Sequence, residues 1–324
     1  WWYLTAWLQR ESGPIGLQIT FFRSRTPYGQ QNPSRFAPKQ LVLAHAALAL
    51  PDRGALLHDQ QAWRAGDPIA QFSTTDTAVV VGLANNRWSM HRDISDQYHI
   101  NVAAEKFRFA ITARPPASIP RPMLQGQNGF SQKGPSIRQA SYYYSRPQLK
   151  VAGEIEVDGS IMPVDGRGWL DHEWSSELLD KKASGWDWVG LNFHDGSALM
   201  AFQMRTLTNE VLYSAARYLS TESGEQKERD LSPRFTAVRH WRSPRTDGSY
   251  PVSIRLQAGE LDLTIEPLFD DQELDSRGST GVIYWEGAVS VWHSEAIRPD
   301  GSKKSDRIAT GYLELTGYAE RLRI

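Results

Sequence analysis

The densest set of reactive side chains in the chain is the run Asp171-His172-Glu173-Trp174. On a β-strand, Asp171 and Glu173 point to one face while His172 and Trp174 point to the other. Burial can keep a carboxylic acid protonated, and so can a proton shared with a neighbouring carboxylate. Such an acid can protonate an unactivated double bond in a dry pocket. The carbocation so formed needs electron-rich aromatic faces, and Tyr143, Trp174, Trp186 and Trp188 are the candidates for that wall. In this scheme Asp171 is the acid, with His172 and Glu173 as its tuning neighbours. The same run also fits a plainer role, a hydrogen-bonded acid at a barrel rim that caps loop amides or pairs with arginine.

Other residues extend the candidate set. Glu286 follows Tyr284-Trp285 on a strand that reads as inward-facing. An inward carboxyl in an apolar barrel is a pKa outlier, so Trp285 and Glu286 are expected to line a ligand site. His45 lies in the apolar stretch Leu41 to Leu48, either as a base at a ligand site or as a satisfied core histidine. The acidic stretch Asp270 to Asp275 misses the calcium-loop spacing and reads instead as a salt-bridged turn with Arg277 or Arg245. The eight histidines never reach ligand spacing and cysteine is absent, so neither a metal nor a cofactor is expected. Gly-x-Ser-x-Gly and phosphate-cradling glycine motifs are missing as well.

These side chains must be held by sheets. The 324 residues suggest about two domains, and 12 Trp, 12 Tyr and 11 Phe suit β-cores and apolar pockets. A formal charge of −1, without a Lys/Arg cluster, argues against nucleic acid as a partner. Short alternating runs, such as Ile15 to Phe22, Lys106 to Ala113 and Leu149 to Val157, predict antiparallel strands with almost no helix. The exception is a short helix predicted over Ser176 to Ala183. Pro115 to Gly134 reads as a long loop, of the kind that serves as a lid or binding element.

A duplication organises the pattern. Trp1-Trp2-Tyr3-Leu4 is echoed by Trp186-Asp187-Trp188-Val189, and Gly168-Trp169-Leu170-Asp171 by Gly311-Tyr312-Leu313-Glu314. Each half opens with a Trp-rich hairpin and closes with a Gly-aromatic-Leu-acid strand. The fold predicted is all-β, with two tandem antiparallel β-barrel domains over 1–180 and 181–324. Matching first and last strands close each barrel.

Several blocks resemble the family that includes carotenoid 1,2-hydratases and the AttH-like proteins. They include Gly16-Leu17-Gln18-Ile19-Thr20-Phe21-Phe22-Arg23, Ala44-His45-Ala46-Ala47-Leu48, Gln139 to Pro147, Gly168 to Trp174, Asp271 to Ser276 and Tyr284-Trp285-Glu286-Gly287. The likeness spans essentially the whole chain and is closest to the AttH-like branch. It implies lipocalin- or streptavidin-like barrels and addition of water to a terminal isoprenoid double bond. It also implies an exported or periplasmic protein linked to an envelope ABC-type transporter. Asp171-His172-Glu173 departs from the Asp-His-Asn-type run of the hydratases. The expected partner is an apolar small molecule or lipid bound near the domain junction by a monomer. Two other readings stay open: a lipid-binding accessory of a transport system without chemistry, and a carbohydrate-binding or carbohydrate-hydrolysing β-protein.

Overall fold

The computed structural model describes residues 1–27, 31–34, 37–66, 69–73, 76–83, 86–177, 179–222, 225–294 and 306–321. The described residues are all-β apart from one 3₁₀ turn at Pro51–Arg53. The first sheet contains β1 (Trp2–Arg10), β2 (Gly13–Arg25), β3 (Gln40–Ala49), β4 (Leu57–Arg64), β5 (Ala70–Phe72), β6 (Ala78–Val81) and β7 (Trp88–Arg92). It continues with β8 (Tyr98–Ala103), β9 (Phe107–Arg114), β10 (Met123–Leu124), β11 (Phe130–Gln132), β12 (Ala140–Val157) and β13 (Ser160–Glu177). The second sheet contains β14 (Ala183–Phe193), β15 (Ala198–Thr206), β16 (Val211–Glu222), β17 (Glu225–Leu231) and β18 (Pro233–Arg242). Its remaining strands are β19 (Ser249–Ala258), β20 (Leu261–Pro267), β21 (Glu273–Asp275), β22 (Ile283–His293) and β23 (Ala309–Thr316).

Every pairing is antiparallel. The order is β4-β3-β2-β1-β13-β12-β9-β8-β7-β6-β5 in the first sheet and β17-β16-β15-β14-β23-β22-β20-β19-β18 in the second. The first sheet curls into a nearly closed barrel, and the second forms a half-barrel. First and last strands pair in each half, but they lie at mid-sheet; the seam falls between β4 and β5, and between β17 and β18.

The duplication holds at the level of register. In the first half Thr5 faces Trp169, Tyr3 faces Asp171, and Asp171 faces Ser145. In the second, Gly190 faces Tyr312, Trp188 faces Glu314, and Glu314 faces Glu286. Asp171 and Glu314 are therefore structural counterparts, as are Ser145 and Glu286.

Alternation sends each strand's apolar residues two ways. Leu4, Leu8, Leu17, Ile19 and Leu170 fill the first barrel, while Val189, Leu191, Val289 and Leu313 fill the second. The opposite faces of β1, β13, β14, β15, β22 and β23 pack against each other. There Tyr3, Trp7, Trp169, Trp188, Met200, Phe202 and Tyr312 make a third core between the halves. Gly16 permits this approach, because a Cβ there would sit 2.7 Å from the Ala288 Cβ and strike the Tyr312 hydroxyl.

Two expectations are corrected. No helix forms at Ser176 to Ala183: β13 runs on to Glu177, which pairs with Ala140, and residue 178 lies outside the described residues. Cross-strand pairing overrides a weak local helix signal. The Pro115 to Gly134 loop is partly strand, since β10 and β11 pair with β12; Met123 on β10 and Ile119 in the loop before it both enter the junction core.

Candidate functional site

The junction between the sheets gathers four carboxyl groups under an aromatic layer. Asp171 and Glu173 reach it from β13, Glu286 from β22 and Glu314 from β23. Asp171 is buried and both its oxygens are occupied. Tyr143 donates to Oδ2 at 2.5 Å, while Ser145 and the Trp169 indole donate to Oδ1 at 2.6 and 2.7 Å. Burial raises its pKa to about 7 against the pull of those donors, and Glu173 adds to the rise. The Trp188 indole donates to the Tyr143 hydroxyl at 3.1 Å, and Trp188 stands edge-on to both Tyr3 and Trp169. Asp171 thus anchors a chain of rings.

Glu173 pairs with Lys133 at 3.1 Å, with both side chains buried. The Lys133 ammonium lies over the Tyr143 and Phe202 rings at 4.3 and 4.5 Å, so its charge is spread between a carboxylate and two π-faces.

Glu286 and Glu314 are cross-strand neighbours. Burial first, and then the charge of Glu314, raise the Glu286 pKa well above the usual carboxyl range. Burial also lifts Glu314 to about 7, partly offset by a hydrogen bond from Trp186. Like charges so close cannot both ionise in a dry site, so the pair holds a proton near neutrality. The Tyr3 and Tyr284 hydroxyls face Glu286. Even so, Glu286 Oε1 and Tyr3 Oη are buried without a partner in hydrogen-bonding geometry. Tyr3 and Glu286 are nonetheless coupled: the carboxyl raises the tyrosine pKa well above its usual range, and the hydroxyl works against the rise that burial causes in the carboxyl. Trp1, Trp186, Leu212, Tyr213 and Glu314 are half-buried and give this layer its open side.

His45 lies on the flank of the same junction. Its Nδ1 is 2.8 Å from the Tyr284 hydroxyl and its Nε2 is 2.7 Å from Ser279. Burial drives its pKa down to about 3 and keeps the ring neutral. Ser279, His45, Tyr284 and Glu286 form a polar file from a half-buried loop to the acid pair.

The structure brings Asp171, Glu173, Tyr143, Trp186, Trp188 and Glu286 to the junction, with His45 at its edge. It does not bring His172, Trp174 or Trp285 there. His172 turns to the other side of β13, stacked on Trp2 at 5.0 Å and 3.2 Å from the Tyr144 hydroxyl, and burial holds its pKa near 3. Trp174 shares that side and stacks on the exposed Tyr142. Trp285 is in the core of the second half-barrel, its indole donating to the Asp270 carbonyl. Glu286 faces the opposite way, toward the first half and not into its own barrel, because alternation along β22 pairs it with Tyr284 and Ala288. The acidic turn is salt-bridged as expected, Arg245 to Asp271 and Arg277 to Asp275. Tyr3, Lys133 and Glu314 were missed. The repeat already matched Glu314 to Asp171, and that match was the available signal.

The AttH-like family model matches residues 1–318 of the sequence. A crystal structure of a Nitrosomonas europaea protein assigned to AttH is 44% identical with a TM-score of 0.83, covering 98% of this chain and 92% of its own. Kievitone hydratase from Nectria haematococca shares the fold at 16% identity and a TM-score of 0.68, covering 98% of this chain and 89% of its own. CghA crystallised with Sch210972 does so at 12% identity and a TM-score of 0.56, with coverage of 98% and 89%. A sequence search of curated proteins finds no match.

Proposed function

The chain belongs to the AttH-like family, and from that premise we propose that it binds a long apolar, isoprenoid-like ligand at the junction and adds water to one of its double bonds. The observation that carries this reading is the cross-strand Glu286–Glu314 pair, which keeps a proton near neutrality beside the Tyr3 and Trp188 rings. A shared fold with a hydratase supports it.

In this scheme protonated Glu286 transfers its proton to one alkene carbon as the π-electrons form the new C–H bond. The cation left on the other carbon lies against the Trp188, Trp169 and Tyr3 faces, whose negative quadrupoles stabilise it. Water adds to that carbon and gives its extra proton to the Glu314 carboxylate. A proton passing from Glu314 to Glu286 resets the pair, so no proton is consumed overall. Asp171 does not donate in this scheme. It accepts three hydrogen bonds, and it fixes Tyr143 and, through it, Trp188.

The test begins with native mass spectrometry of protein purified from its own host, followed by solvent extraction of the bound molecule. That molecule is then incubated with the protein in ¹⁸O-water. Gain of one labelled hydroxyl, lost in Glu286→Gln, is the expected result. Stoichiometric binding with no label would favour carriage of a lipid without chemistry.

A further inference from the structure

A cleft opens on the other side of β13, at the mouth of the first barrel, with a volume of about 890 Å³. It is independent of the acid pair, since the alternation that turns Asp171 and Glu173 to the junction turns His172 and Trp174 into this cleft. Its floor is aromatic: Trp2 stacks on His172, and Tyr144 stands edge-on to the same imidazole at 5.3 Å. The Trp2 indole N–H is buried there and has no acceptor. Its rim is cationic. Among the described residues, Arg23, Arg25 and Arg92 line it against the side-chain carboxylate of Asp76, because the Glu173 side chain is turned away to Lys133. Arg92 is tied to Asp76 and Asp96 at 3.3 and 3.6 Å. Arg23 and Arg25 come from one face of β2; Arg23 bonds to Gln40 and lies over the Phe72 ring, and burial first, then the Arg25 charge, lower its pKa.

Barrel mouths are recurrent ligand sites, and a volume in this range holds a small molecule. We propose that this cleft is a second binding site, for an amphiphilic carboxylate whose apolar body rests on Trp2, Tyr144 and Trp174 and whose anionic head meets Arg23 and Arg25. Guanidinium forks match a carboxylate in charge and geometry, and an anion between two like-charged arginines relieves their repulsion.

Myristate is the probe, titrated by calorimetry into the full chain, with myristyl alcohol as the neutral control. One-to-one binding of myristate is expected, with the alcohol about tenfold weaker or more. The double variant Arg23→Gln/Arg25→Gln should weaken myristate by about tenfold or more while leaving alcohol binding and the circular dichroism spectrum unchanged. Both positions are exposed, so folding should survive. Equal affinity for acid and alcohol would overturn the proposal, as would no loss in the double variant. Myristate binding that persists there but falls in Glu286→Gln would place the ligand at the junction and overturn it as well.

Discussion

At the scale of residues, the proposed hydration gives Glu286 and Asp171 different work. Asp171 accepts three hydrogen bonds, whereas Glu286 faces a second carboxyl, that of Glu314, across the strand pair. Glu286→Gln should therefore lower kcat on the extracted ligand by about 10²–10⁴ with little change in binding, the usual range for loss of a general acid. Single-turnover kinetics with ¹⁸O-water would read this. Asp171→Asn has a different signature, in stability. Its folded pKa, about 7, is above the ordinary 3.8, so between those values the folded chain keeps a proton that the unfolded chain releases. Stability from this group is full below about pH 4 and is lost as pH rises toward 7, by an amount on the order of 4 kcal/mol. Urea midpoints at pH 5 and pH 7.5 should show a shallower decline in Asp171→Asn than in the parent; identical declines would remove Asp171 as the source. The alternation at 171–174 was legible in sequence because a strand has period two. The facing of Glu286 was not, because both sides of β22 are buried and a buried strand shows no polar side to read.

At the scale of elements, the junction depends on close contact between strands that belong to different sheets. Gly16 on β2 lies under Tyr312 and Ala288, so Gly16→Ala should destabilise by about 1–3 kcal/mol through overpacking. Thermal melting would check this, with Gly13→Ala excluded as a control because Gly13 has a φ of 120°. His45 ties β3 to β22 and to the Ser279 turn. His45→Leu removes a partner of the buried Tyr284 hydroxyl, while Ser279 keeps its bonds to Gln60 and Ser276, and should cost about 1–3 kcal/mol by urea unfolding. Trp174→Ala should leave stability nearly unchanged, since that ring is half exposed. Strand positions were legible wherever alternation was clean, as at Ile15 to Phe22 and Leu149 to Val157. The Ser176 to Ala183 helix failed because the long β12–β13 ribbon imposes pairing on residues whose local preference is different. Lys133 could not be identified beforehand, because its partner lies 40 residues away and is brought near only by β11 pairing with β12.

At the scale of the whole molecule, the two halves share a core as aromatic as either barrel. Buried hydrogen bonds cross it too: Gln148 donates to the Phe193 and Ser197 carbonyls, and Asn192 to that of Gly168. The halves should therefore unfold together. One calorimetric transition is expected, and two resolved transitions would show the junction to be weaker than the barrels it joins. The register that matches Asp171 to Glu314 and Ser145 to Glu286 has a consequence for ancestry. A dimer of identical barrels must present the same residue at both ends of its twofold axis. It would therefore hold two equivalent centres, each obliged to donate and accept alike. Joining the copies in one chain breaks that symmetry. One end is free to carry serine and an anchored aspartate, the other two glutamates, and a pseudo-twofold contact becomes a place with a direction.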